Sequence, residues 1–118
     1  MNWNGFVAFF HADDLKATHD FYHDALGLPL YKDQGDCRIY QVEEGSYLGF
    51  CTHFPPADPD GSIVTLLTDD VDEAYELLRS HPSVTVESAP RVNEKFKIYH
   101  FFARDPDGYK VEVQKFLS

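Results

Sequence analysis

The chain is short of positive charge. Ten Lys and Arg face twenty Asp and Glu, a formal net charge of −10 at pH 7. That balance leaves no basic face of the kind that nucleic acid and anionic membranes require, so neither is expected as a partner. Cysteine is nearly absent too. Cys37 and Cys51 are the only two, too few and too far apart for a zinc motif or a disulfide framework. Both fall in apolar, strand-like segments, where reduced, buried thiols are the expectation. No apolar run approaches the ~20 residues of a transmembrane helix. The opening MNWNGFVAFF lacks the basic stretch of a secretory signal, since the first lysine is Lys16. A cytoplasmic protein is expected.

What remains is an ordinary globular composition, 43% hydrophobic and 25% charged over 118 residues. A chain of this length folds as one domain and buries roughly two thirds of the surface its unfolded form exposes, so neither a disulfide nor a metal is needed for stability. The acidic balance is compatible with a cationic ligand, but a solvated acidic surface explains it equally well.

Local signals repeat along the chain. FVAFFH (residues 6–11) reads as a strand and runs into the tandem Asp13 and Asp14, either of which can accept the orphan amide bonds of a helix start. Leu15, Phe21, Tyr22, Ala25 and Leu26 recur at helical spacing, and Gly27 offers a left-handed stop before Pro29. LPLYKDQ, CRIYQVEE and SYLGFCTH are three strand candidates separated by turn residues. The second half begins again with SIVTLLT (residues 62–68), meets Asp69 and Asp70, and continues through a helical stripe of Val71, Ala74, Tyr75 and Leu78. VTVESA, KIYHFFA and GYKVEVQKF follow as strands. FPPADPDG, residues 54–61, is a Pro- and Asp-rich linker.

This grammar predicts an α+β fold of two tandem β-α-β-β-β modules, residues 1–53 and 62–118. Their sheets curl round a cleft with the helices outside, all within a single domain of residues 1–118. DDLKATHDFYHDALGLPL (residues 13–30) and RDPDGYKVEV (residues 104–113) resemble the first helix and the last hairpin of the vicinal oxygen chelate superfamily, the glyoxalase, bleomycin-resistance and extradiol dioxygenase proteins. The resemblance spans nearly the whole chain. It implies a small-molecule cleft, homodimer formation and, in metal-dependent members, four ligand positions. Of these, Glu112 matches the last. Val7, Gly49 and Ile63 match the other three and carry no side-chain donor. The usual metal site therefore looks dismantled, since catalytic ions need a set of donors.

Two function classes follow. One is a metal-free protein of the bleomycin-resistance type that binds a small organic molecule. The other is a metal-dependent lyase, isomerase or dioxygenase in which Glu112 joins a displaced set with His11 and His53. Glu112 and His11 are the candidate catalytic groups in either case, Glu112 as a general base if it is buried among aromatics without metal. Phe9, Arg38, Tyr40, Tyr47, Cys51, His100 and Phe102 are the candidate ligand contacts, because aromatics with a few polar anchors suit a flat or apolar molecule. Whether His100 or Tyr99 faces the cleft depends on hairpin register. His19, His23 and His81 read as surface residues. No phosphate-cradling loop, Ser-His-Asp order or nucleotide fingerprint is present.

Overall fold

Asp14 and Asp70 start the two α-helices in the same way. The Asp14 carboxylate accepts from the Lys16 amide at 2.9 Å ahead of α1, Leu15–His19. The Asp70 carboxylate accepts from the Glu73 amide at 3.0 Å ahead of α2, Val71–Arg79. Each such cap is worth about 1 kcal/mol. Helix α1 passes directly into a π-helical turn, Asp20–Ala25, marked by the Leu26 amide donating five residues back to the Phe21 carbonyl at 3.0 Å. The widened turn accompanies complete burial of two consecutive large residues, Phe21 and Tyr22. Gly27, at φ +75°, then ends the segment in the left-handed conformation.

The structure is a computed structural model describing residues 1–118. The chain divides into two units, Met1–Ala57 and Asp58–Ser118. In the first, β1 (Phe6–His11), β2 (Leu30–Asp33), β3 (Cys37–Glu43) and β4 (Ser46–Cys51) form a sheet in the order β1-β4-β3-β2. In the second, β5 (Ile63–Leu67), β6 (Thr85–Val86), β7 (Arg91–Asn93), β8 (Ile98–Arg104) and β9 (Lys110–Phe116) form a sheet in the order β5-β9-β8-β6, with β7 also on β8. The first strand of each unit pairs parallel with its last, and the other pairings are antiparallel. The same wiring is thus used twice, in a mixed α+β fold.

Each sheet packs one face on its helical segment. In the first unit Tyr22 stacks on Phe50 at 4.3 Å between ring centroids, and Tyr40 lies beside both. In the second, Tyr75 of α2 meets Phe101 edge-on at 5.4 Å, and the Tyr99 hydroxyl donates to Asp72 at 2.6 Å. Because side chains alternate along a strand, these contacts assign the faces. Arg38, Tyr40, Leu48 and Phe50 point to the helix side. Phe9, His11, Tyr47, Gly49 and Cys51 point to the other.

Two features depart from expectation. Cys37 and Cys51 are cross-strand partners and form a disulfide, which corrects the expectation of reduced thiols. Pairing across a ladder is a matter of register, and the spacing of the two cysteines does not contain it. The segment around VTVESA is also not one strand. Only Thr85–Val86 pairs, and the chain resumes pairing as β7 after the register on β8 has moved by two residues. Pro90, which has no amide hydrogen to give to a ladder, sits in the break.

Candidate functional site

Glu112 lies on the face of the second sheet that α2 leaves uncovered. It is 8% exposed, and its two oxygens are separately engaged. Thr65, its register partner on β5, donates to Oε1 at 2.8 Å. His100 of β8 donates from Nδ1 to Oε2 at 2.6 Å. A carboxylate only accepts, so this contact places the hydrogen on Nδ1 and leaves Nε2 of the neutral ring as an acceptor. That nitrogen has no hydrogen-bond partner within the protein. His100 thus shares the face of Glu112, while Tyr99 turns to α2.

Beside the buried Glu112 and His100 runs a groove of about 710 Å³, walled by Val92, Phe96, Ile98 and Phe102, with Arg91, Asn93, His100 and Glu112 as its polar groups. Phe102 meets the His100 ring edge-on at 5.2 Å. Arg91 is the register partner of His100 on β7, so the two side chains emerge on one face. Its guanidinium is exposed and makes no ion pair within the protein. A second depression of about 590 Å³ beside α2 also includes an arginine, Arg79, but that charge is already paired with Glu76 at 3.0 Å.

The candidates of the first unit are arranged differently. His11 has both ring nitrogens within 2.6 Å of acceptors, Nδ1 at the Phe54 carbonyl and Nε2 at Asp13 Oδ1. The carbonyl only accepts, so Nδ1 carries the hydrogen, and Nε2 faces the Asp13 carboxylate. His53 lies beside the disulfide, with Nδ1 3.9 Å from Cys37 Sγ. Phe9 lies across Gly49, and a Cβ built on that glycine would run into its ring. Tyr47 packs on Tyr31 at 4.6 Å. Cys51 is bonded to Cys37, so it offers no thiol.

Arg38 and Tyr40 sit on the helix side rather than with the other candidates. Arg38 Nη1 donates to the Leu15 carbonyl at 3.5 Å, and its Nε, 3.7 Å from Asp33, is a buried donor without a hydrogen bond. Burial pushes the Tyr40 phenol above its usual value, against the opposing pull of Arg38. The Tyr40 hydroxyl meets His19 Nδ1 at 2.8 Å. Desolvation holds the His19 imidazole below its ordinary pKa, with the neighbouring charges of His23 and Arg38 adding to the effect.

The four ligand positions implied by the family do not make a set of donors. Val7, Gly49 and Ile63 contribute none, and Phe9 fills the space at Gly49. The carboxylate of Glu112 is held by Thr65 and His100. These residues do not fit the family's usual ion. Sequence reasoning missed Thr65 and Arg91. The signal for Thr65 was its place on β5, but the parallel register opposite Glu112 could not be read. Arg91 follows an interrupted strand.

Comparison with known proteins agrees with the architecture. Solved structures with this fold include a glyoxalase/bleomycin resistance protein/dioxygenase from Nocardioides, with a TM-score of 0.76 at 21% identity over 95% of this chain and 82% of that one. A glyoxalase/bleomycin resistance protein/dioxygenase family enzyme from Burkholderia phytofirmans gives 0.77 at 15% identity over 94% and 97%. An integron cassette protein from V. cholerae gives 0.71 at 21% identity over 94% and 93%. None of the curated proteins matches the chain. The fold is thus the one these proteins share. The family model of the Glyoxalase/Bleomycin resistance protein/Dioxygenase superfamily matches residues 7–113, and the chain belongs to that superfamily. No helix is long and apolar enough to cross a membrane.

Proposed function

We propose that this chain binds a small organic molecule in the groove of the second unit without a metal ion, and that the molecule is an anion with a flat, apolar body. The observation that supports this is the pairing, on one uncovered sheet face, of an unpartnered Arg91 with an aromatic-walled groove of about 710 Å³. That volume falls within the roughly 300–1,000 Å³ usual for small-molecule sites. The charge of Glu112 is already met by two donors, so Arg91 is the charge in the groove that still needs a counter-ion. In the neutral ring His100 Nε2 accepts, so a hydroxyl or amine on the ligand would find a partner there. Glu112 serves in this reading as the group that fixes the His100 tautomer. His11 acts as a structural cap on the loop after β4.

A metal-dependent lyase, isomerase or dioxygenase built on Glu112, His11 and His53 is the weaker reading, because both Glu112 oxygens are engaged by Thr65 and His100. Homodimer formation and a cytoplasmic setting belong to the same proposal. Disulfides are reduced in most cytosols, so there Cys37 and Cys51 would stand as a dithiol. Light scattering on the purified chain tests the dimer.

The ligand test uses three probes of one shape and three charges: para-hydroxyphenylacetate, its neutral amide, and tyramine. Calorimetry on wild type should rank the carboxylate first, and Arg91→Gln should weaken it about tenfold or more, as loss of a hydrogen bond to a charged group does. Tighter binding of tyramine would sink the anion. Binding of no probe would sink the groove as a site.

A further inference from the structure

We propose that His19, His23 and Asp24 form a binding site for a divalent transition ion such as Zn²⁺, Ni²⁺ or Cu²⁺, at the point where α1 becomes the π-helical turn. The site is independent of the groove and of the positions at which the family would hold a metal.

Three observations support it. First, one donor atom from each of these residues lies within 4.8 Å of the others. Bonds of about 2.0–2.2 Å to an ion draw neighbouring donors to about 3.5 Å. His23 and Asp24 are exposed, so rotation of their side chains can close the difference. Second, the two imidazoles lie against each other, with centroids 4.5 Å apart and planes inclined by 22°, and turning the exposed His23 ring aims its in-plane lone pair at an ion shared with His19.

Third, the hydrogen bonds at Nδ1 fix the tautomer of His23 and permit the matching one of His19. The His23 Nδ1 faces the Leu28 carbonyl at 3.0 Å. A carbonyl only accepts, so the hydrogen is on Nδ1 and Nε2 of the neutral ring keeps its lone pair. His19 Nδ1 lies 2.8 Å from the Tyr40 hydroxyl, which can accept from it and so allows the same tautomer. Metal-bound histidines commonly use one nitrogen for the ion and the other for such an outer contact, which fixes tautomer and orientation. Neither Nε2 has a partner within the protein, and the Asp24 carboxylate makes no ion pair. The other cluster within the first unit, Cys37, Cys51 and His53, has its sulfurs consumed by the disulfide.

Two imidazoles and one carboxylate select borderline transition ions over Mg²⁺ or Ca²⁺, which prefer all-oxygen sites. Water would complete the coordination. An ion held by His19 on one side and by His23 and Asp24 on the other ties the end of α1 to the π-helical turn, so binding should raise the melting temperature.

The test is isothermal titration of the intact, untagged chain with Zn²⁺, Ni²⁺ and Mg²⁺, with thermal melts alongside. Wild type should take one Zn²⁺ or Ni²⁺ per chain and no Mg²⁺. His23→Gln and His19→Gln should each weaken Zn²⁺ binding at least tenfold and abolish the melting shift, and Asp24→Asn should weaken it less. His81→Gln should bind as wild type does. His19 also touches Tyr40, so the exposed His23 is the decisive variant, with circular dichroism confirming its fold. Zn²⁺ binding unchanged in His23→Gln, or lost in His81→Gln, would overturn the site. So would an absence of Zn²⁺ and Ni²⁺ binding by wild type at millimolar concentration.

Discussion

Glu112 was legible as a singular residue: a carboxylate in the run KVEV, on a strand whose flanks made its face polar. Its actual partners were not, because Thr65 is 47 residues away and reaches it through parallel register. Those partners make its removal costly. Glu112→Ala leaves the buried His100 Nδ1 hydrogen without an acceptor, while the hydroxyl of the exposed Thr65 can turn to water. We expect a loss of about 3 kcal/mol in urea unfolding, the scale of hydrogen bonds to a charged group. Thr65→Val should cost about 1 kcal/mol, since it removes one donor and leaves the stronger contact. A neutral Glu112→Ala would mean that the carboxylate is not structural and is kept for a bound species.

Arg104 gives a second test at the same scale. Its guanidinium donates to Asp60 at 2.7 Å, to Glu87 at 2.6 Å and to the Gly108 carbonyl at 2.9 Å. The hydrogen bond from Arg104, and then its charge, hold the Asp60 carboxyl below its usual value of 3.8. A carboxyl with a lower pKa folded than unfolded adds stability that is fully present above the unfolded value and is lost as pH falls through the folded one. Wild type should therefore exceed Asp60→Asn in stability at neutral pH, and the gap should narrow only below about pH 4. A gap independent of pH would show that the amide's shape, not the charge, makes the difference.

At the scale of elements, helix starts and turns could be read while bulges and pairings could not. Asp14 and Asp70 cap their helices through local contacts two and three residues on, and such contacts are written in adjacent sequence. The π-helical turn answers to the burial of Phe21 and Tyr22 against the sheet, which is a tertiary demand. The β6–β7 interruption and the Cys37–Cys51 bond depend on how strands align. The disulfide closes a loop with a sequence separation of 14, for which the chain-entropy model gives about 3 kcal/mol. The loop is already a paired hairpin, so the true effect should fall below that figure. Cys37→Ala/Cys51→Ala should lower the urea midpoint, and the same shift should follow when wild type is measured with a reductant. Insensitivity of wild type to the reductant, with both thiols labelling after unfolding, would mean the cysteines are not bonded in solution.

For the whole molecule the repeated grammar was the strongest signal, because it needed only the recurrence of strand, paired Asp and helix. It appears as one wiring used in both units. Charge is the other property of the whole chain, and it sets up an opposition with the proposed ligand. An anion approaching a chain of net charge −10 is repelled at long range, whereas Arg91 attracts it only at contact. Added salt shortens the Debye length from roughly 30 Å at 0.01 M to 8 Å at 0.15 M, which removes the distant repulsion before it weakens the close pair. Stopped-flow association of para-hydroxyphenylacetate should therefore speed up several-fold over that range, the reverse of ordinary electrostatic steering. A rate that falls with salt would place the governing field in the groove itself, with Arg91 outweighing the acidic remainder. That outcome would remove the notion that the acidic surface screens which charges reach the site.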